Sequence, residues 1–140
     1  MGGNLICEIL EAEPDKVPDV VVVQANRDSH KVRIWAKKTG FHLVREQMVS
    51  GRWAYQILTF HRREGPDPAY ADMDLELSHY FGPLLLKARD PVLLEELERR
   101  LARHVEHPEN RDLKRIKAAF CFFEELSEKS EPSPQQDRAL

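Results

Sequence analysis

The stretch Val20-Val21-Val22-Val23-Gln24-Ala25-Asn26 decides the fold class of this chain. Four successive valines without polar alternation predict a strand buried on both faces, which is typical of a parallel sheet covered by helices. Pro18 breaks the chain just before the strand, and Gln24 and Asn26 lie at its carboxyl end. Open α/β sheets bind ligands at that end of their strands. The stretch therefore predicts an α/β fold with candidate site residues at Gln24 and Asn26.

Helical patterns lie on both sides of the valine strand. The segment before it has apolar residues at helical spacing and ends before Pro14. After the strand, Asp28 or Ser29 can cap a second helix, and Gly40 follows where a left-handed residue ends a helix. Asn26 has two compatible interpretations of equal weight, ligand binding and capping of this second helix.

The next segments predict a hairpin and then a helical region. Residues 41–49 and 53–60 show strand alternation around the turn Ser50-Gly51, so we expect an antiparallel hairpin that completes a three-stranded mixed sheet. An apolar segment over 75–86 is interrupted at Gly82-Pro83. From Pro91 two helices predict a hairpin with coiled-coil-like packing, broken between them by Pro108 and Asn110; their apolar positions are Leu94, Leu97, Leu101, Leu113, Ile116, Phe120 and Phe123.

Composition sets the remaining limits. The chain has 140 residues with a formal net charge of −3, so RNA binding would require a local basic patch. No apolar run reaches the ~18 residues of a membrane span. Cys7 and Cys121 lie far apart in apolar helical patterns, which predicts two buried, reduced thiols in a cytoplasmic protein. We expect a partial Rossmann-like domain over 1–64, a helical domain over 65–127 and a disordered tail over 128–140.

Several short motifs, in shared order and spacing, resemble the bacterial tRNA (adenine-22-N1)-methyltransferases, a class I family that uses S-adenosylmethionine. They are Met1-Gly2-Gly3-Asn4-Leu5-Ile6, Val22-Val23-Gln24-Ala25-Asn26, Val32-Arg33-Ile34-Trp35 with Thr39-Gly40-Phe41, Glu46, Tyr55-Gln56-Ile57 and Tyr80-Phe81-Gly82-Pro83. The resemblance implies the C-terminal half of the family's Rossmann-like sheet, a buried strand plus an antiparallel hairpin, followed by helices. Ala25 replaces the family's proline. The family's Gly-rich cofactor loop and acidic ribose-binding residue have no counterpart, so no cofactor-binding residue is assigned in this chain.

The resemblance implies an enzyme that, when intact, methylates an adenine of tRNA with S-adenosylmethionine as cofactor. We expect the chain alone to be inactive, because the loop that starts it here lies midway through the family's catalytic domain. The alternative is a catalytically inactive RNA-binding or protein-interaction fragment, and methyl-donor binding separates the two. The sequence assigns no catalytic residue and no metal ligand.

The predicted substrate-binding residues are Gly2, Gly3, Gln24, Asn26, Arg33 and Lys37. The two glycines would let the backbone approach a flipped base, or they are only a flexible start to a helix. Arg33 and Lys37 belong to a basic cluster on the second helix that would contact tRNA phosphates, or they lie on an ordinary solvated face. The strand of valines would leave one edge unpaired, which predicts a homodimer or another association through that edge.

Overall fold

The helices and strands follow the sequence pattern closely. The computed structural model describes residues 1–104 and 111–130. In chain order the elements are α1 (Gly3–Ala12), β1 (Val20–Ala25), α2 (Ser29–Lys38), β2 (Phe41–Val49), β3 (Tyr55–Arg62), α3 (Leu75–Phe81), α4 (Pro83–Lys87), α5 (Pro91–His104) and α6 (Arg111–Ser130). Gly40 has a φ of 81°, the left-handed conformation expected after α2. The predicted break at Gly82-Pro83 is confirmed as the boundary between α3 and α4.

The three strands form one sheet in the order β1-β3-β2. Both neighbouring pairs are antiparallel, with Val22 of β1 opposite Thr59 of β3. The predicted strand and hairpin are therefore confirmed, but the predicted mixed sheet is wrong for the described residues, since no neighbouring pair in them is parallel. A bulge between Leu43 and Arg45 shifts the register of β2. Simple alternation could not show this shift, because a bulge adds one residue to a single strand.

The described residues cover only one face of β1, so the prediction of a strand buried on both faces is wrong for this part of the chain. Val21 is 7% exposed, whereas Val22 is 62% exposed. Helices α1 and α2 contact each other and bury Ile6 and Val32 in the same core as Val21. Both helices therefore lie against the same face of β1, and no described element covers Val22 on the other.

The buried apolar residues form two clusters. The first lies between the sheet, α1 and α2 and is centred on residues such as Trp35, Leu58 and Phe60. The second joins the end of the hairpin to the C-terminal helices; it contains Met48, Leu77, Phe81, Leu85, Leu86, Leu93, Leu97, Ile116, Ala119 and Phe123. Helix α6 thus packs against α3 and α4, α5 packs against β2, and the two helices contact each other. Coiled-coil-like packing between them stays a prediction.

Three details at chain ends and turns differ from expectation or lie outside the described residues. Helix α6 continues to Ser130, so the predicted tail does not begin at residue 128. The rest of that tail and the predicted break at Pro108 and Asn110 lie outside the described residues. Trp53, the first residue of the predicted strand 53–60, is 75% exposed because β3 begins only at Tyr55.

Candidate functional site

The first residues of the chain lie beside the segment that leaves the carboxyl end of β1. Gly2 forms an isolated parallel bridge with Arg27. The Gly3 amide donates to the Arg27 carbonyl at 2.9 Å, and the Asn26 amide donates to the Met1 carbonyl at 3.1 Å. These bonds bring Gly2, Gly3 and Asn26 together at the carboxyl end of β1.

Gly3 is a glycine because another backbone occupies the space of its side chain. A Cβ built at Gly3 would lie 2.7 Å from the Asp28 carbonyl carbon, which no real side chain tolerates. At Gly2 the nearest atom to a built Cβ is the Arg27 Nε at 3.3 Å, on a flexible side chain. The interpretation of these glycines as a flexible helix start is therefore wrong for Gly3, which fixes the packing of two backbone segments.

Gln24 and Asn26 are both exposed at this strand end. Asn26 does not cap α2, because the cap position belongs to Asp28, which has a φ of 55° and makes no side-chain cap bond. The capping interpretation of Asn26 is thus wrong. Next to them, Lys31 Nζ donates to Asn4 Oδ1 at 2.5 Å and ties the first turn of α2 to α1. An exposed amide pair and a lysine border this strand end.

Arg33 is not on the surface of α2. Its side chain is 0% exposed, and its Nε donates to Glu46 Oε1 at 2.7 Å. The predicted phosphate contact of Arg33 from a helix surface is therefore contradicted, and so is its assignment to a solvated face. The guanidinium also donates to Gln56 Oε1 at 2.6 Å, the His79 carbonyl at 2.9 Å and Ser29 Oγ at 3.1 Å.

Glu46 completes this buried polar cluster. Its second carboxylate oxygen accepts from the Leu84 and Leu85 amides at 3.0 and 3.1 Å, where α4 begins. A carboxylate there satisfies free N–H groups and interacts favourably with the helix dipole. A Cβ at Gly82 would lie 2.6 Å from Glu46 Oε2 and 2.7 Å from Arg33 Nη2, and Gly82 has a φ of 94°. Only glycine fits this contact.

Lys37 is exposed, and its ammonium lies 4.9 Å from the centre of the Tyr70 ring. The Tyr70 and His79 rings meet edge to face at 5.3 Å between centroids. Tyr70 Oη and His79 Nε2 are both buried, and neither has a hydrogen-bond partner among the described residues. Burial raises the pKa of Tyr70 far above its usual range and lowers the pKa of His79, with Lys37 and Arg33 lowering the latter further.

A half-exposed stack lies between α2, α3 and α6. The His30 ring stacks on the Tyr80 ring at 4.5 Å, and the Arg115 guanidinium lies 3.6 Å from the centre of the Tyr80 ring. Burial lowers the pKa of His30, and Lys31 acts in the same direction. Glu76 pairs with Arg115 at 3.3 Å, so this surface is not uniformly basic.

The remaining reactive groups offer no further site. No group of three or more metal-ligating side chains occurs in the part of the chain that the structure describes. Cys121 is exposed, which contradicts its predicted burial. Cys7 is partly buried, and burial raises the pKa of its thiol. No helix within residues 1–104 and 111–130 is long and apolar enough to cross a membrane.

Comparison of the sequence with known protein families identifies the family of this chain. The sequence model of the tRNA (adenine(22)-N(1))-methyltransferase family, TrmK, matches residues 1–122. The chain belongs to this family. The tRNA (adenine(22)-N(1))-methyltransferase of Bacillus subtilis is 31% identical over 100 residues, which cover 69% of this chain and 41% of that protein. The chain therefore spans less than half of the length of this curated TrmK relative.

Solved TrmK structures share the fold. The B. subtilis M1A22 tRNA methyltransferase TrmK superposes with a TM-score of 0.66 at 26% identity, covering 91% of this chain and 59% of that one. The Streptococcus pneumoniae protein Sp1610, a putative tRNA (m1A22) methyltransferase solved with S-adenosyl-L-methionine, gives a TM-score of 0.65 at 22% identity and covers 90% and 56%. The predicted fold, part of an α/β methyltransferase fold, is confirmed.

Gly2 and Gly3 do not form an open glycine-rich cradle for S-adenosylmethionine. A glycine-rich cofactor loop leaves its backbone open to the ligand. Here the space in front of Gly3 is filled by the backbone of Asp28, and Gly2 faces the Arg27 side chain. These two glycines therefore leave no open backbone for the methyl donor.

The sequence motifs come together at two places. Gly2, Gly3, Gln24 and Asn26 lie at the carboxyl end of β1, where their substrate-binding role stays a prediction. Arg33, Glu46, Gln56 and Gly82, taken from four separate motifs, meet inside the protein. Periodicity did not place Glu46 and Gln56 beside Arg33, since all three are polar residues that a pattern assigns to the surface. The motifs did mark them, although not as one cluster.

Proposed function

We propose that this chain forms the RNA-facing, C-terminal part of a tRNA (adenine-N1)-methyltransferase, which methylates an adenine of tRNA with S-adenosylmethionine when intact. The match of the TrmK family model to residues 1–122 carries the proposal. The chain covers 41% of the B. subtilis relative, so we also propose, rather than observe, that it shares the activity of the whole enzyme. The proposal also includes a cytoplasmic location and the division of the chain near residue 64.

In this proposal the strand end receives the target nucleotide. Gly2 and Gly3 hold the start of the chain against Asn26 and Asp28, so the exposed Gln24 and Asn26 side chains are presented on a fixed backbone. Their amides can donate to and accept from the edge of a base. Lys31 and Lys37 are exposed on α2 and supply positive charge for phosphates.

The methyl donor needs residues beyond those that the chain supplies. We expect S-adenosylmethionine titrated into the 140-residue chain to give no calorimetric binding signal, since the space in front of Gly3 is filled and the sequence offers no other glycine-rich cofactor loop. Binding in the micromolar range would contradict this part of the proposal. The same titration into the Streptococcus pneumoniae protein Sp1610, which was solved with S-adenosyl-L-methionine, is the positive control.

Titration of a bacterial tRNA transcript, followed by fluorescence anisotropy at several salt concentrations, tests the RNA-binding part. Binding should weaken steeply with salt, because each phosphate contact releases counterions. The variants Lys31→Glu and Lys37→Glu should each lower the slope of log affinity against log salt by about 1. The control Lys16→Glu changes an exposed lysine in the turn before the amino end of β1 and should leave the slope unchanged. If neither Lys31→Glu nor Lys37→Glu changed the slope, phosphate binding by α2 would be refuted.

A second candidate function, protein association, is favoured by one observation. Five of the large apolar side chains that are exposed lie on the chain start, α1 and β1: Met1, Leu5, Ile9, Val20 and Val22. Some of them border a groove of about 460 Å³ along β1. β1 pairs with β3 on one edge, and no described strand pairs with its other edge. This apolar surface supports association of β1 with a second copy or a partner chain.

A further inference from the structure

We propose that the buried Arg33–Glu46 pair is a joint that fixes the orientation of α5 and α6 relative to the strand-end site. The pair links α2 to β2, and both side chains are 0% exposed. Through Arg33 the pair also holds the carbonyl of His79 near the end of α3, and through Glu46 it holds the first amides of α4. With Gln56 of β3, which accepts from Arg33, five elements are therefore attached to two side chains.

Helices α3 and α4 contact α6, and α6 in turn contacts α5. The second core joins Leu77 and Phe81 of α3 and Leu85 of α4 to residues of α5 and α6, among them Leu97 and Ile116. A rotation of the α3–α4 corner would therefore move both C-terminal helices. The corner itself is Gly82, which has no room for a Cβ against the two side chains. The position of the joint thus determines the position of the helices.

A buried ion pair is a poor way to gain stability. Taking two charges out of water costs about as much free energy as their attraction returns, and apolar residues of the same volume often serve equally well. The pair differs from an apolar contact in its directional requirement. If α4 shifts, a carboxylate oxygen loses its amides in a site without water, and that state is strongly disfavoured. The cluster therefore restricts the corner to one arrangement, which apolar packing alone does not do.

Arg33 and Glu46 are positioning residues in this proposal, and their effect is visible without RNA. Cys121 is an exposed native thiol on α6, and Lys38 is exposed on α2. Spin labels at Cys121 and at Lys38→Cys, in a Cys7→Ser background, report the distance between α6 and the α/β part. We expect a narrow distance distribution in this parent protein.

The decisive variant replaces both charges with apolar residues, Arg33→Met with Glu46→Leu. We expect it to keep a cooperative thermal transition while the distance distribution becomes about twice as wide, because packing is kept and directionality is lost. The control removes an exposed ion pair of the sheet with Arg62→Gln and Asp19→Asn and should keep the parent width. A double variant as narrow as the parent would overturn the proposal and leave the pair as an ordinary stabilising contact.

A second variant keeps the test valid if the double variant does not fold. Glu46→Gln preserves the shape of the side chain and removes its charge. It should widen the distance distribution. It should also accelerate amide exchange at Leu84 and Leu85, whose N–H groups donate to the Glu46 carboxylate in the parent protein. Unchanged width and unchanged exchange in Glu46→Gln would equally overturn the joint. Since every measurement uses the free protein, failure of RNA binding would not affect this result.

Discussion

At the scale of single residues, Gly3 offers the sharpest test of the strand-end geometry. A methyl group at Gly3 must displace the backbone of Asp28, so Gly3→Ala should lower the free energy of unfolding by about 1–3 kcal/mol, the usual cost of overpacking. Gly2→Ala is the matched control, because its new methyl group meets only the flexible Arg27 side chain. Urea denaturation of both variants measures the difference. Equal stability of the two would mean that residues 1–3 do not lie against Asp28.

His79 makes stability depend on pH in a predictable direction. Burial lowers its pKa from the ordinary value of 6.5, so the folded state binds the proton less readily than the unfolded state does. The contribution of the neutral ring is fully present above about pH 6.5, and it is lost as the pH falls from there toward the lowered pKa. Melting temperatures measured from about pH 8 to pH 5 should fall less for His79→Phe than for the wild type.

Tyr70→Phe separates titration from burial in the same contact. The raised pKa of Tyr70 keeps its hydroxyl neutral throughout that pH range, so this variant should retain the wild-type pH profile. It should also gain about 1 kcal/mol in the free energy of unfolding, because it removes a buried hydroxyl that has no partner among the described residues. Calorimetric melting at neutral pH measures this gain, and a loss of stability would show that the hydroxyl has a partner in solution.

At the scale of elements, the sequence predicted which segments are helices and strands but not which faces they bury. Valine content identified β1, and Gly40 and Gly82 marked where α2 and α3 end. Burial of Val22 could not be predicted, because it depends on which elements cover the sheet rather than on the strand. Likewise any helical pattern assigns Arg33 to the surface. Its burial is possible because Glu46, which is distant in sequence, compensates the charge of the guanidinium.

The C-terminal helices should depend on their shared core rather than on each other alone. Leu97 of α5 is 0% exposed within the second core, so Leu97→Ala should lower the free energy of unfolding by about 2–5 kcal/mol. Leu94→Ala removes a partly buried neighbour on the same helix and should cost clearly less. Circular dichroism during urea denaturation compares the two. A small effect of Leu97→Ala would indicate that α5 is not packed into the second core.

At the scale of the whole molecule, the edge of β1 that pairs with no described strand determines how the chain associates. The strand has no charged residue, proline or bulge to prevent pairing, although natural edge strands usually carry such features. Its exposed valines and the exposed apolar side chains of α1 form an apolar surface, and the exposure of this surface to water is unfavourable. Burying each large apolar side chain is worth about 1.5–3 kcal/mol, which is large beside the ~5–15 kcal/mol that stabilises a domain.

We therefore expect the chain to associate through this edge, and Val22→Lys to reverse the association. A lysine at this 62% exposed position places a charge on the apolar surface without disturbing the buried Val21. Sedimentation velocity at several protein concentrations should show dimers or larger species for the wild type and mainly monomers for Val22→Lys. The control Thr59→Lys changes the partly buried neighbour of Val22 on β3, away from the edge, and should reduce association less. A wild-type chain that stays monomeric and melts sharply would show that the β1 edge is covered by the chain's own residues.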